Sequence, residues 1–552
     1  MKVKIEMQNK FSKNVYDTME RLVSMPSISG TEQESIAANK IYGSLAQVPY
    51  FKENSYNVGI ENIKDDPLNR SFVWAVVNGK EYSDDTFILS GHLDVVGVEE
   101  FGHLRSAAFD IKKCTERISE MKLDESTESD IKSGNWIFGR GTADMKFGLA
   151  LNMELIKEFS INRNFKGNLM ILIVPGEESN SEGMLSAVPF LLKLSRSRKY
   201  RYCGMIISEP SVPEKGETDS KRLYIGSVGK IMPLFFCVGK ETHVGESLNG
   251  LNPNLLVSEI NRLLECNGSF SDNVSGTVTP PPMCLKQTDL KKLYSVQSPL
   301  YAASYYNVMT LKAGYEKLIE DLKNLANTAF LNVMENIFDK RNRFMKKYNQ
   351  KLNFESFKPC VVTYSDILEQ VKEKYKNFNS YIDQKIDIWK KERRDNQSIA
   401  VNIVRETYEL YGEKKPMIII SFIPPYYPHR YMKSRDNLGR RFMNVVDKSI
   451  EYAKNELHED IVKTDFFMGI SDASYTGIDE GESSVDDLVS NIVGYDTIYK
   501  FPADELKRID IPVIIFGGEG KDLHKYTERL NLPYSFNVVP KIYKYIILNM
   551  LC

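Results

Sequence analysis

Apolar positions recur along this chain with two periods, and the alternation between them predicts its elements. Residues 14–25 set Val15, Met19, Leu22 and Val23 at helical spacing, and Pro26 ends the helix. After Ser29-Gly30 a second helix is predicted from Thr31 to about Leu45, with Thr31 as its cap. Strands follow at 71–77 and 86–90, then a helix at 147–158 and a fully buried strand at 168–174. A helix at 183–195 and a strand at 204–207 complete the run. Strand and helix in alternation predict an α/β domain built on a mixed, mainly parallel sheet flanked by helices. Ligands of such a sheet gather at the carboxyl ends of its strands.

Near Gly226 the pattern changes. A strand is predicted at 229–239, a helix at 252–264 and a strand at 303–311. A long helix starts at Tyr315, where Leu318, Ile319, Leu322, Leu325, Ala326, Ala329, Val333 and Ile337 keep one apolar face. Charge-laced helical segments at 363–392 and 396–411 precede a strand at 417–422 and an aromatic turn, Pro424-Pro-Tyr-Tyr-Pro-His429. After a helix at 437–456, the α/β pattern returns at 511–516. Residues 1–225 and 431–552 are therefore expected to form one domain, with 226–430 inserted as an enlarged α+β lid. Acidic stretches at 121–132 and 478–488 read as exposed loops.

Composition narrows the function class mainly by exclusion. With 42% hydrophobic and 26% charged residues, the chain has the make-up of an ordinary soluble globular protein. A formal charge of −2 provides no footprint for nucleic acid or an anionic membrane surface. No apolar stretch reaches membrane-spanning length, and the first ten residues lack a signal-peptide core. Seven scattered cysteines without a CxxC pair suit a reducing compartment, so a cytoplasmic location is expected.

The chemistry concentrates in five segments, each at a predicted strand end or helix start. They are His92-Leu-Asp94, Gly139-Arg-Gly-Thr-Ala-Asp144, Pro175-Gly-Glu177-Glu178, Ser208-Glu209-Pro, and Gly517-Gly-Glu-Gly-Lys-Asp-Leu-His524. Residues i and i+2 of a strand share a face, so His92 and Asp94 can enter one cavity. Imidazole with carboxylate and no thiolate is a ligand set for catalytic zinc or manganese. Two histidines and three carboxylates suffice for two ions sharing a bridging aspartate. Asp94 and Glu177 then remain for orienting a ligand and moving protons. Each residue also has a plainer reading: Asp144 as a helix cap, Glu177-Glu178 as solvated charges, Glu209 as a turn residue. Coincidence of all five is the stronger signal.

In these segments, in their order, and in Leu22-Val-Ser-Met-Pro-Ser-Ile-Ser-Gly30 and Ser471-Asp472-Ala473, the chain resembles a known family. It is similar to the acetylornithine deacetylase, succinyl-diaminopimelate desuccinylase, aminoacylase and glutamate carboxypeptidase family of co-catalytic zinc metallopeptidases. Length, Ile470-Ser-Asp-Ala-Ser-Tyr475 and Pro424-Pro-Tyr-Tyr-Pro narrow the resemblance to the arginine-utilisation RocB group.

The resemblance implies a zinc-exopeptidase-like catalytic domain. It puts His92 and Glu209 on one metal, Glu178 and His524 on the other, and Asp144 between them. Asp94 would hydrogen-bond the far nitrogen of His92, and Glu177 would be the general base. His243, in Thr242-His243-Val-Gly, would donate to the oxyanion, and Asn307 would contact substrate. The implied cofactors are two divalent ions, zinc first, with manganese or cobalt as substitutes.

The implied activity is hydrolysis of the amide bond of a small N-acyl amino acid or dipeptide, with arginine catabolism as the narrower setting. A homodimer through the inserted domain is a further expectation. The alternative is a non-catalytic, metal-stabilised binding or regulatory protein on the same fold.

Three departures from the family stand out. About fifty residues separate His92 from Asp144, leaving an extra segment that carries His103. The lid is nearly twice the usual size. No arginine with a supporting motif clamps a substrate carboxylate, although Arg405 and Arg430 are substitutes by type.

Overall fold

The computed structural model describes residues 9–213, 221–351, 355–432, 437–479 and 482–552. Residues 1–8 of the opening segment read above lie outside these, as do residues 480 and 481 of the second acidic stretch. The chain divides into two compact units, residues 1–227, 430–478 and 504–552 in the first, residues 228–429 and 479–503 in the second. Segment 479–503, expected in the α/β domain, therefore belongs to the other unit. The reason is packing: helix Glu482–Asn491 buries Val485 and Leu488, and the side-chain nitrogen of Asn491 donates to the Tyr315 hydroxyl at 2.7 Å.

The first unit is built on an eight-stranded sheet. Its spatial order is Val58–Asn62, Ser71–Asn78, Lys166–Val174, Glu81–His92, Arg201–Ile207, Val513–Ile515, Lys221–Tyr224, Ile461–Thr464. The first two pairings are antiparallel and the next three parallel. The short Ile515–Tyr224 bridge is antiparallel, and the last pairing is parallel. The central strands are almost uniformly apolar because both of their faces are covered. Helix Phe147–Ile161 packs on three of them, and every side chain from Leu169 to Val174 is fully buried.

Register positions the site. His92 lies opposite Val174, Ser90 opposite Ile207, and Ile207 opposite Ile515. Four parallel strands therefore release their chains at one edge, the carboxyl edge, within a residue or two of each other. A separate three-stranded sheet joins Trp136–Phe138 to Arg529–Asn531 and Gly520–Lys521. It fastens the run leading to Asp144 to the loop carrying His524.

The second unit is α+β. Its sheet runs Met283–Asp289, Tyr301–Thr310, Pro233–Val238, Met417–Phe422, Val361–Thr363, with Gly229–Ile231 paired to the far end of Tyr301–Thr310. The strand expected over 229–239 is thus broken at Met232 into two pieces. Helix Tyr315–Tyr348 buries the predicted face from Leu318 to Val333, and Ile337 is half-buried. The expected segment 363–392 divides into Tyr364–Lys374 and Phe378–Lys391, which bury Ile367, Val371, Ile382, Ile386 and Trp389.

Both acidic stretches contain helices rather than loops. Glu125–Ser133 is started by the Asp124 carboxylate, which accepts from Thr127 N at 3.0 Å, and is stopped by Gly134 in the left-handed region. Composition concealed these caps. Among the described residues no helix is long and apolar enough to cross a membrane.

Candidate metal centre

Six side chains from five loops of the first unit meet at the carboxyl edge. His92 Nε2 lies 3.1 Å from Asp144 Oδ1, 3.8 Å from Glu209 Oε1 and 4.0 Å from Glu177 Oε2. His524 Nε2 lies 3.2 Å from Asp144 Oδ2 and 3.1 Å from Glu178 Oε2. The two oxygens of Asp144 thus face different imidazoles. The cluster splits into a His92–Glu209 half and a His524–Glu178 half with Asp144 common to both. His92, Asp144 and Glu178 alone offer three ligand atoms within 4.8 Å of one another. The Asp144–Met145 peptide, which leads into helix Phe147–Ile161, is cis.

Asp94 holds the arrangement in a different way from that expected. The nearest partner of His92 Nδ1 is the Asp94 backbone oxygen at 3.0 Å, while the carboxylate oxygen is 3.6 Å away. The carboxylate instead accepts from the backbone N–H groups of Glu177 at 3.2 Å and Glu178 at 3.1 Å. One buried aspartate therefore fixes the imidazole through its main chain and the Glu177-Glu178 pair through its side chain.

Electrostatics show which charge the cluster suits. Burial raises Glu177 well above the usual carboxylate range; the His92 charge opposes this, and Glu209, Glu178 and Asp472 add to it. Burial, reinforced by Asp144, raises Glu178, and burial pushes Glu209 up to about 7 against the pull of His92. Hydrogen bonds to Asp144 and Glu178 lift His524 to about 10. Asp144 is held low by its two imidazole partners although burial acts to raise it. Carboxylates outnumber imidazoles here, and the nearby Lys146 is turned away, its Nζ bonded to Leu22 O, Met25 O and Ser27 Oγ. Buried like charges of this kind are stabilised by cations. Oxygen and imidazole donors around a shared carboxylate fit two divalent ions.

Sequence reasoning missed two contributors. Arg140 Nη1 donates to Glu528 Oε2 at 2.5 Å, and Glu528 Oε1 accepts from Ala143 N at 3.2 Å and Asp144 N at 3.3 Å. No local pattern links positions so far apart. It also left Asp472 as part of a matching motif without a role. Asp472 is buried, its Oδ1 has no hydrogen-bond partner, and burial pushes it up to about 7.

The remaining expected residues are outside the five loops of this cluster. His243 and Asn307 are in the second unit. His243 is exposed, and its Nδ1 accepts from Gly245 N at 3.1 Å. Asn307 is half-buried on strand Tyr301–Thr310, with an unpartnered Oδ1. Arg405 is engaged by Glu406 at 3.2 Å, and Arg430 by Asp510 at 2.6 Å. His103 is exposed in the 3-10 segment Glu99–Ala107.

Comparison with known proteins identifies relatives of the whole chain. The sequence pattern of peptidase family M20/M25/M40 matches residues 88–549. The uncharacterized protein YqjN of Bacillus subtilis is 34% identical over 533 residues, covering 95% of this chain and 94% of its own. Protein RocB of the same organism is 31% identical over 522 residues, covering 94% and 92%. In fold, the chain resembles the M20 family metallo-carboxypeptidase Sso-CP2 of Sulfolobus solfataricus, with TM-score 0.52, 12% identity and coverage of 98% and 99%. It likewise resembles the aminopeptidase PepT of Bacillus cereus, with TM-score 0.51, 11% identity and coverage of 98% of each chain.

Proposed function

The chain belongs to peptidase family M20/M25/M40 and is a metal-dependent hydrolase, and on that footing we propose that it is a two-metal amidohydrolase of small N-acyl amino acids or dipeptides. The observation that carries this reading is Asp144, whose two oxygens each meet a different imidazole, Oδ1 that of His92 and Oδ2 that of His524. His92, Glu209 and Asp144 would hold one ion, and His524, Glu178 and Asp144 the other. Two divalent ions bound there would supply Lewis acidity, making water more acidic and the scissile carbonyl more electrophilic.

The chain supplies the proton chemistry. Glu177 is outside the five-ligand set, lies in the same buried cluster, and is made basic by burial and by its anionic neighbours. It takes the proton of the attacking water and delivers it to the leaving nitrogen, so the amide breaks to a carboxylic acid and an amine. Asp94 keeps it aimed through the Glu177 backbone N–H. From the resemblance alone, His243 is assigned as the donor to the tetrahedral oxyanion and Asn307 as a substrate contact. The sequence resemblance to the arginine-utilisation group points to an arginine-related substrate, and the scattered cysteines to a cytoplasmic setting.

The test is a panel of N-acyl amino acids and dipeptides, arginine derivatives included, assayed with zinc, manganese or cobalt after metal removal. Metal-dependent release of a free amine is expected from at least one class. No hydrolysis with any metal would overturn the reading.

A homodimer through the second unit belongs to the same proposal. Strand Met283–Asp289 edges that sheet with Met283 and Leu285 exposed, and an edge strand offers unpaired backbone groups to which another chain can pair. Analytical ultracentrifugation should find a dimer, and Leu285→Lys should shift it toward monomer. A monomeric wild-type protein would refute the association.

A further inference from the structure

The extra segment between His92 and Asp144 builds a small core of its own. Val98, Phe101, Leu104, Ala107, Ala108, Cys114 and Ile118 pack with Trp136 and Phe138. This core closes over the Arg140–Glu528 ion pair. The Arg140 guanidinium lies 5.3 Å from the centre of the Phe101 ring, and Arg140 N donates to Ala108 O at 2.9 Å. Both charged side chains are buried, at 1% and 0% exposure. Taking such a pair out of water is costly, and the cost is offset only where the remaining hydrogen-bonding capacity is used.

Here the Glu528 carboxylate and one Arg140 nitrogen bind the backbone around two candidate metal ligands, while the buried Arg140 Nε has no hydrogen-bond partner among the described residues. Glu528 Oε1 accepts the N–H groups of Ala143 and Asp144, and its backbone oxygen accepts from Gly139 N at 3.2 Å. Arg140 Nη2 donates to the backbone oxygen of His524 at 2.8 Å. One guanidinium–carboxylate pair thus joins the turn that presents Asp144 to the loop that presents His524. The two side chains whose spacing defines the His524 half of the cluster are set by it. A lysine would lack the planar fork whose two terminal nitrogens reach Glu528 Oε2 and the His524 carbonyl separately.

We propose that Arg140 and Glu528, sealed by Phe101 of the extra segment, are positioning residues that set how tightly the site holds divalent metal. The inference rests on the two-metal reading and adds a reason for the segment's presence: it dries the pair that aligns Asp144 with His524. His103, exposed on that segment, plays no part in it.

The test measures zinc affinity by competition with a chromophoric chelator, alongside the melting temperature of the metal-free protein. Arg140→Lys and Arg140→Met should each weaken zinc binding by about 10- to 100-fold, the range typical of groups that orient metal ligands. Phe442→Leu, a remote core change in the same unit, provides the control: it should lower the melting temperature yet leave zinc affinity unchanged. Should the Arg140 variants fail to fold, Phe101→Leu decides, since it keeps the pair and thins its cover. Weaker zinc binding at unchanged fold supports the proposal. Wild-type affinity in whichever variant folds, or the same loss in Phe442→Leu, overturns it. A wild-type protein that takes up no zinc, manganese or cobalt would instead overturn the two-metal reading itself, and this inference with it.

Discussion

Glu177→Gln is expected to lower kcat by about 10²- to 10⁴-fold, the usual contribution of a positioned general base, while both metal equivalents remain bound. The substitution keeps the shape of the side chain and the backbone N–H that donates to Asp94 Oδ1, so the loop should stay where it is. It removes only the capacity to accept the water's proton. KM should change little, because no ground-state contact is assigned to this carboxylate. Metal content by elemental analysis separates the two roles the position could hold. Lost turnover with full metal content identifies a base. Lost turnover with lost metal would make Glu177 a ligand, and unchanged turnover would leave the centre without its proposed base.

The sequence made the strand-end residues legible because their signal is local. An apolar strand followed at once by His92-Leu-Asp94 or Pro-Gly-Glu177-Glu178 announces the carboxyl edge of an α/β sheet, and the observed register brings those ends together. What remained hidden was set by distance or by competing interactions. The carboxylate of Asp94 was read against its nearest chain neighbour, His92, yet it is claimed by two backbone N–H groups from a loop more than eighty residues away. The Arg140–Glu528 pair spans 388 positions, and nothing near either residue predicts the other. The helix at Glu125–Ser133 was obscured because its acidic run resembled a solvated loop, although Asp124 and Gly134 are proper start and stop signals. Segment 479–503 was assigned by sequence continuity with the α/β domain, whereas Val485 and Leu488 are buried in the other unit.

The second large effect is expected at Asp144. Asp144→Ala should reduce metal stoichiometry from two ions to at most one and bring hydrolysis to background, whereas His524→Ala should keep the ion of the His92–Glu209 half. The asymmetry follows from geometry: Asp144 alone faces both imidazoles, at 3.1 and 3.2 Å, while His524 serves one half. Thermal unfolding offers a readout independent of turnover. Any ion that binds only the folded protein stabilises it by about 2.7 kcal/mol per site at a free concentration one hundred times its dissociation constant. Added zinc should therefore raise the melting temperature of the wild type most, of His524→Ala less, and of Asp144→Ala least. If Asp144→Ala bound two ions with wild-type affinity, the shared-ligand assignment would fail. The His92–Glu209 and His524–Glu178 halves would then have to be regarded as independent sites.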